Sequence, residues 1–488
     1  MATVLTSLLD RDVTSPAEAA SVTITGITAD SRQVLPGYLF AALAGSKADG
    51  AKFVAEAIAK GAAAVLVGDK ADLAVTGNVP ILRAAEPRLA LARIAARFYG
   101  PGPDTIVAVT GTSGKTSVAE FTRQIFAALG HKAASLGTIG VVKPDGAVYG
   151  SLTTPDPVTL AKTLAGLRAE GITHLAMEAS SHGLDQYRLD GVKLKAGAFT
   201  NLGRDHMDYH PTVEHYLDAK LGLFTRLLQP GDTAVINADD VWAPKVIAAA
   251  TKRNLPFLTV GNDGETLRII KVTPQGFGQQ LEIAVSGHTY TVNLPLVGTY
   301  QAANALVAAG LAIAAGEHAT AVIAALPKLH GVKGRLEIIG KARGGLGVVD
   351  YAHKPEALAA ALDALRPFAP GKLICVFGCG GDRDKGKRPI MGTIAVEKAD
   401  VVIVTDDNPR TEAAASIRAG IMATAKGAQE IGDREQAIKA AVAMMGAGDV
   451  VVVAGKGHEM GQIVGNTVLP FSDHDVLAAA LAAAEHGQ

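Results

Sequence analysis

Short apolar runs separated by amphipathic stretches set the rhythm of this chain. Within the first hundred residues SVTITGI, GYLFAAL and AAVLVG have the pattern of strands, DGAKFVAEAIAKG that of an amphipathic helix, and PRLALARIAARFYG that of a second helix. Pro101, Gly102 and Pro103 then punctuate a junction. After it, the β-branched run at Ile106, Val107 and Val109 leads through a glycine-containing turn into the helical stretch VAEFTRQIFAALG. A helix, VTLAKTLAGLRAEG, follows Thr154–Pro157, where Pro157 suits a first turn. ITHLAME, KAGAFTNL and DTAVINA are apolar runs set between helices, a pattern that predicts a largely parallel sheet covered on both faces. Between 255 and 298 the pattern changes to alternation in LRIIKVT, QLEIAVSG and TYTVNLPLVG, which predicts antiparallel strands before the helix TYQAANALVAAGLAIAAG. The basic, glycine-containing LPKLHGVKGRLEIIG fits a second junction. Beyond it GLGVVDYAHKPEALAAALDAL repeats the strand–loop–helix theme, and KLICVFGC, ADVVIVTDD and DVVVVAGKG supply three more buried strands, each ending in a polar loop.

The expectation is an α/β protein of three domains in series, 1–102, 103–332 and 333–488. The first is α/β, the second a phosphate-loop parallel-sheet domain with a small antiparallel portion, and the third a Rossmann-like α/β domain. A length of 488 residues agrees, being too great for one core. Lys and Arg number 46 against 47 Asp and Glu, a net charge of −1, so no global field points to nucleic acid or a membrane surface. Any anionic substrate must be met by local cations. The only cysteines, Cys375 and Cys379, exclude a disulfide framework and make a poor zinc site without further ligands. MATVLTSLLDRD lacks a basic segment ahead of a long apolar run, and no apolar stretch reaches the ~20 residues of a membrane span. A cytoplasmic, monomeric protein is expected.

The strongest chemical signal is Gly111–Ser117, GTSGKTS, at the end of the run from Ile106. Gly111, Thr112, Ser113 and Gly114 form a loop whose backbone N–H groups can face phosphate oxygens, with a helix N-terminus behind them. Lys115 would neutralise terminal phosphates and the Thr116 hydroxyl is placed for magnesium. The general pattern starts with glycine where this chain has Val109, so the loop is a narrower variant. Two further strand ends are crowded with polar groups. One carries Glu178, Ser180, Ser181, His182, Gln186 and Arg188; the other carries Asn201, Asp205, His206, Asp208 and His210. A magnesium ion favours oxygen, which puts Glu178 ahead of His206 as a ligand. A serine-hydrolase elbow is rejected, because Glu178 stands where G-x-S-x-G requires glycine before Ser180. Helical periodicity alone makes Lys220 a solvent-facing lysine. In the last third, GCGGDRDKGKRP, DDNPRTE and GKGHE end consecutive strands. There Arg383, Lys385, Lys387 and Arg388 supply cations, while Arg410 and Glu459 could grip the two ends of a zwitterionic amino acid.

In order along the chain, GTSGKTS, TTPDP, MEASSHGLDQYR, TNLGRDHMDYH, LDAKLGLF, GRLE, DYAHKPEAL, GGDRDKGKRP, DDNPR and GKGHE cover essentially all of it. This set resembles the Mur ligases, and among them the members that add diaminopimelate. The resemblance implies ATP-dependent amide ligation in peptidoglycan precursor synthesis, with UDP-MurNAc-L-Ala-D-Glu and meso-diaminopimelate as substrates and magnesium as cofactor. It implies that the first domain binds the UDP-linked substrate, the second ATP and the third the amino acid. By resemblance Ser31, Ser46, Lys47, Ala48, Thr153, Thr154, Ser180, Gln186 and Arg188 contact the UDP-linked substrate. Asn304, Arg335 and Asp350 join the phosphate loop at ATP, and Arg383, Asp407, Asn408, Pro409, Arg410, Gly455 and Glu459 hold diaminopimelate. Lys220 matches a lysine that the family carries as N6-carboxylysine, which together with Thr116, Glu178 and His206 would serve the metal. Lys115 and Lys220 are the implied catalytic residues. DNPR is the family's marker for diaminopimelate over lysine, and Arg410 suits the extra distal carboxylate. Lys354–Glu356 departs from the Thr-Pro-Asp expected there. Two alternatives are a folylpolyglutamate synthetase-like ligase, against which GKGHE and DNPR speak, and an ATP-dependent switch, which leaves the three sets of polar strand ends without a purpose.

Overall fold

The computed structural model of the protein describes residues 2–486 apart from 46–48, 74–78, 149, 151 and 204. It divides into two compact units, residues 1–259 with 310–317, and residues 260–309 with 318–488.

The first unit contains a sheet in the order Val13–Thr14, Ile81–Ala84, Ala64–Gly68, Tyr38–Ala41, Gly26–Thr28. Only the first of these pairings is antiparallel. Ala64, Val65, Leu66 and Val67 are all fully buried, as a strand covered on both faces requires. Helix Pro87–Tyr99 starts on a proline and stops at Gly100, whose φ of 89° is costly for any other residue. Its Leu91, Ile94 and Phe98 pack on Leu39, Leu66 and Leu82.

The same unit holds a second series of strands in the order Gly146–Val148, Gly140–Lys143, Ala133–Gly137, His174–Glu178, Thr105–Thr110, Ala196–Phe199, Thr233–Asn237. From Ala133–Gly137 through Thr233–Asn237 the pairings are parallel. The predicted parallel strands are all present, but Ala133–Gly137 and the hairpin after it carry no strand pattern in the sequence. AASLG is made of small residues with weak strand preference. It forms a strand because its neighbours bury both of its faces: all five of its residues are buried.

In the second unit, Leu267–Gln275, Gly278–Val285 and His288–Leu294 form the expected antiparallel meander. Along Gly278–Val285, burial alternates strictly, with Gln279, Leu281, Ile283 and Val285 inward. A six-stranded sheet follows in the order Glu337–Ala342, Gly345–Asp350, Val450–Ala454, Leu373–Phe377, Val401–Val404, Gln429–Glu430. All but its first pairing are parallel. The stretch taken as a junction around GRLEIIG therefore contributes an edge strand. The α/β class and the antiparallel portion agree with the sequence pattern. Among the described residues no helix is long and apolar enough to cross a membrane. Cys375 and Cys379 are buried free thiols, pushed up by burial to about 12 and about 11.

Candidate active site

In the first unit strand Thr105–Thr110 lies between His174–Glu178 and Ala196–Phe199, with Glu178 paired to Val109 and Phe199 to Thr110. The loops that start at 111, 179 and 200 therefore leave one end of a parallel sheet, the end where such sheets bind ligands. Gly111 has a φ of 153°, and a Cβ there would run into Thr200 Oγ1. Gly114, at φ 86°, turns the chain into helix Lys115–Ala128. The loop is stitched to its neighbour: Ser113 N donates to Asn201 Oδ1 at 2.9 Å, Thr200 Oγ1 donates to Ser113 O at 2.7 Å, and Gly203 N donates to Thr112 Oγ1 at 2.9 Å. Lys115 Nζ donates to Gly111 O at 2.9 Å and Thr112 O at 3.0 Å. Thr116 and Ser117 follow in the first helical turn, with Ser117 buried.

Lys220 overturns the periodicity argument. It lies on helix Val213–Gly222, which continues into the π-helical turn Leu223–Leu227, and its side chain is 1 % exposed. Its Nζ donates to Gly111 O at 2.6 Å and lies 4.3 Å from the centroid of the Tyr216 ring. Burial, reinforced by repulsion from Lys115, pushes the ammonium well below its usual range. Burial therefore eases loss of the ammonium proton, which N6-carboxylation needs.

Glu178 is 1 % exposed and accepts from Thr138 N at 2.7 Å and Thr138 Oγ1 at 3.2 Å. Gly137 makes room for it, since a Cβ there would collide with the carboxylate. Thr153 Oγ1 pairs with Thr138 Oγ1 at 3.0 Å, and Thr154 Oγ1 donates to Glu178 O at 3.0 Å. Ser180 N donates to Thr154 Oγ1 at 3.1 Å, while the Ser180 side chain caps helix Ser181–Asp185. Arg188 Nη1 donates to Thr154 O at 2.7 Å and Nη2 to Gln186 Oε1 at 2.8 Å. Thr153, Thr154, Ser180, Gln186 and Arg188 are thus one network around Glu178. His206 has a left-handed φ of 55°, with its Nε2 3.5 Å from Asp205 Oδ2. Thr116 and Glu178 offer oxygen donors, the kind magnesium takes, at this end of the sheet. Thr138, Thr200 and Tyr216 support this site and were not singled out by the sequence, which carries no local sign of their role.

Ser31 is buried, and its carbonyl accepts from Lys60 Nζ at 2.9 Å. A cavity of about 450 Å³ is lined by residues including Ala42, Asp49, Gly68 and Pro87. Ser46, Lys47 and Ala48 lie outside the described residues.

In the second unit Asn304 Nδ2 donates to Gln301 Oε1 at 3.0 Å, and Gln301 Nε2 to Arg335 O at 3.3 Å. Asp350 accepts from Leu336 N at 2.7 Å and Ala352 N at 2.8 Å. Burial raises the Asp350 carboxyl, offset in part by Arg335. Asn304, Arg335 and Asp350 are therefore linked through Gln301 and Leu336. At the ends of Val401–Val404 and Val450–Ala454, Asn408 Nδ2 donates to Glu459 Oε2 at 2.8 Å. The fully buried Lys456 donates to Asn408 Oδ1 at 2.9 Å and pairs with Glu459 at 3.0 Å. Lys456 stands inside GKGHE but was not singled out, because lysine is ordinarily a surface residue. Gly455, at φ 116°, passes so close to Asp407 that a Cβ would stand 2.6 Å from its Oδ2. Pro409 precedes Arg410, which has a φ of 53° and donates from Nη1 to Gly381 O at 2.9 Å. Arg383 is exposed on the preceding loop. Three of the four cations singled out on that loop have partners in the fold, Lys385 standing 3.5 Å from Glu412. Arg388 is 4 % exposed and donates to Glu412 Oε1 at 2.9 Å, and Lys387 Nζ donates to His353 O at 2.7 Å.

Comparison with known proteins identifies this arrangement. The Mur ligase family catalytic domain matches residues 23–99, the Mur ligase middle domain residues 109–312, and the Mur ligase glutamate ligase domain residues 334–457. The chain is 57% identical to the UDP-N-acetylmuramoyl-L-alanyl-D-glutamate–2,6-diaminopimelate ligase of Agrobacterium fabrum, over 96% of this chain and 95% of that one. It is 58% identical to the protein of the same name from Bradyrhizobium diazoefficiens, over 98% of this chain and 99% of that one. A solved structure bearing that name superimposes with a TM-score of 0.72 at 33% identity, covering 99% of both chains. With a glycine-built phosphate loop at the start of the middle-domain match, and identity above one half along almost its whole length, the chain belongs to the Mur ligase family.

Proposed function

We propose that this protein is the ATP-dependent ligase that joins meso-2,6-diaminopimelate to UDP-N-acetylmuramoyl-L-alanyl-D-glutamate in peptidoglycan precursor synthesis. The observation that carries the chemistry is the buried Lys220 ammonium held 2.6 Å from the phosphate-loop carbonyl of Gly111, one strand away from Glu178. The substrate pair rests on the names of the relatives and on the Asp407–Arg410 loop. The proposed domains are 1–102 for the UDP-linked substrate, 103–332 for ATP and 333–488 for the amino acid; the three family matches fall inside these bounds.

In this reading the γ-carboxylate of D-glutamate attacks the γ-phosphorus of ATP, ADP leaves, and an acyl phosphate forms. Lys115 and the backbone N–H groups of residues 111–117 stabilise charge on the transferring phosphoryl group. Thr116, Glu178, His206 and N6-carboxylated Lys220 would hold magnesium, which would neutralise the phosphate oxygens. Thr153, Thr154, Ser180, Gln186 and Arg188 orient the UDP-linked substrate, and Ser31 with Ser46, Lys47 and Ala48 receive its nucleotide end. Asn304, Arg335 and Asp350 are assigned to ATP. Arg383, Asp407, Asn408, Pro409, Arg410, Gly455 and Glu459 hold diaminopimelate, whose amine attacks the activated carbonyl and expels phosphate. Arg410 offers a planar fork for the distal carboxylate, which L-lysine lacks. An ATP-consuming step on a UDP-linked precursor belongs in the cytoplasm, and a single chain carries the whole residue set, so a monomer suffices.

The test is ATP-dependent phosphate release with UDP-MurNAc-L-Ala-D-Glu, comparing meso-diaminopimelate with L-lysine. Release with diaminopimelate alone is expected. Preference for lysine would remove the role given to Arg410, and silence with both would remove the substrate assignment.

A further inference from the structure

The amino-acid site of the proposed function contains a cation to which that chemistry gives no role. Lys456 lies just beyond strand Val450–Ala454, within GKGHE, and is fully buried. Its Nζ donates to Asn408 Oδ1 at 2.9 Å and to Glu459 Oε2 at 3.0 Å. Asn408 Nδ2 donates to the same carboxylate oxygen at 2.8 Å, which closes a triangle of three side chains. The hairpin Gly461–Val464 and Thr467–Pro470 braces it. Ile463 N donates to Asn408 Oδ1 at 2.9 Å, and Gln462 Nε2 donates to Asp407 O at 2.7 Å. Arg410 is tied to the same hairpin: its N donates to Ile463 O at 3.0 Å and its O accepts from Gly465 N at 2.7 Å.

The triangle fixes two side-chain orientations. Asn408 Oδ1 receives donors from Lys456 and Ile463, so a flipped amide would set its own N–H groups against an ammonium. Its Nδ2 is thereby held on Glu459. Glu459 Oε2 takes both inner donors, and the side chain is 33 % exposed, which leaves Oε1 for a ligand. The other consequence concerns charge. Lys456 is too deeply buried to touch a ligand, but it neutralises the carboxylate that can. Arg434 and Asp473, neither of them exposed, close an ion pair of their own at 2.7 Å. An uncompensated Glu459 would draw cationic ligands strongly in a partly desolvated site. L-Lysine, with two ammonium groups and one carboxylate, is a net cation, whereas meso-diaminopimelate, with two of each, is neutral overall. The neutral Lys456–Glu459 pair gives L-lysine no such advantage and leaves the choice to Arg410.

We propose that Lys456 is a positioning residue that sets amino-acid specificity: it locks Asn408 and Glu459 in place and cancels the charge that would favour L-lysine over meso-diaminopimelate. This inference rests on the assignment of the amino-acid site to these loops. Lys456→Met replaces the ammonium with an apolar side chain of similar length. Asn408 Oδ1 then keeps Ile463 N and Glu459 Oε2 keeps Asn408 Nδ2, so the substitution orphans neither acceptor. Glu459→Gln makes the opposite change, leaving the Lys456 ammonium without its counter-charge.

The test is calorimetric titration of meso-diaminopimelate and of L-lysine into the full-length protein, with UDP-MurNAc-L-Ala-D-Glu and ADP present so that no turnover occurs. The quantity compared is the Kd for L-lysine divided by the Kd for diaminopimelate. Lys456→Met should lower this ratio at least about tenfold, and Glu459→Gln should raise it. A lysine with a merely structural role would weaken both ligands alike and leave the ratio at the parent value. An unchanged ratio in either variant, or movement in the same direction in both, would overturn the proposal. If circular dichroism shows that Lys456→Met does not fold, Glu459→Gln decides alone, since it keeps the side-chain volume at a partly exposed position. A parent that binds neither amino acid would remove the site assignment and this inference with it; a parent that prefers diaminopimelate, with variants of unmoved ratio, would remove the role of Lys456 only.

Discussion

Replacing Lys220 with methionine separates the chemistry of the phosphate loop from its stability. The Lys220 ammonium makes one hydrogen bond, to Gly111 O at 2.6 Å, and a contact with the Tyr216 ring at 4.3 Å. A charged hydrogen bond contributes about 1.5–3 kcal/mol, and a desolvated cation–π contact about 2 kcal/mol. Against these stands the penalty of several kcal/mol for burying an ammonium, seen in its lowered pKa. The Gly111 carbonyl keeps Lys115 Nζ at 2.9 Å, so methionine leaves no orphaned acceptor there. The terms offset, and Lys220→Met should unfold within about 2 kcal/mol of the parent. Phosphate release should nonetheless fall by about 10²–10³-fold or more, the loss typical of one electrostatic element in such a site. Thermal unfolding followed by circular dichroism and a colorimetric phosphate assay read the two quantities. The folded-state pKa lies below the ordinary lysine value of 10.5, so the unfolded chain binds more protons in that window. Parent stability should therefore rise with pH toward 10.5, and Lys220→Met should lose this slope. A large drop in unfolding temperature with activity retained would refute the argument and make Lys220 a structural cation. Lys220→Ala should regain part of its turnover with short carboxylic acids, and an absence of rescue would remove the carboxylysine.

Lys115→Ala should abolish phosphate release while its circular dichroism stays that of the parent; retained turnover would refute the phosphate-loop assignment. Arg410→Ala should raise KM for diaminopimelate at least about tenfold, the loss of one charge-assisted contact, and leave KM for ATP near the parent value. Equal changes in both would argue for a general distortion of the loop. His174, His210, His353 and His458 are each pushed down to about 4, chiefly by burial. In each the unfolded state binds more protons between about 6.5 and 4, so stability present at neutral pH should decline as pH falls through that window. Urea midpoints that stay constant from pH 7 to about 4.5 would contradict it.

The sequence by itself determined what is local. A β-branched run, a glycine turn and Lys-Thr at a helix start lie within a dozen residues, so the phosphate loop was legible from Ile106 to Ser117. Strict alternation gave away the antiparallel meander, and polar groups at the ends of apolar runs marked the 178–188, 200–210 and 406–410 loops. The positions of those groups relative to one another belonged to tertiary structure. Lys220 has the spacing of a surface lysine, yet the π-helical turn after it and the packing of its helix leave it buried against Gly111. Ala133–Gly137 lacks strand-forming residues and becomes a strand because its neighbours cover it on both sides. Arg388 looks like a free cation in DKGKRP and is instead paired to Glu412, which it holds down to about 2. Lys456 is buried between Asn408 and Glu459, 48 and 3 residues away in the chain. His131 and Glu317 are 186 residues apart and touch only in the folded chain. Side-chain periodicity reports which face of an element is apolar. Which polar group is buried, and against what, depends on strand order and helix packing, and these bring together residues that no window of sequence contains.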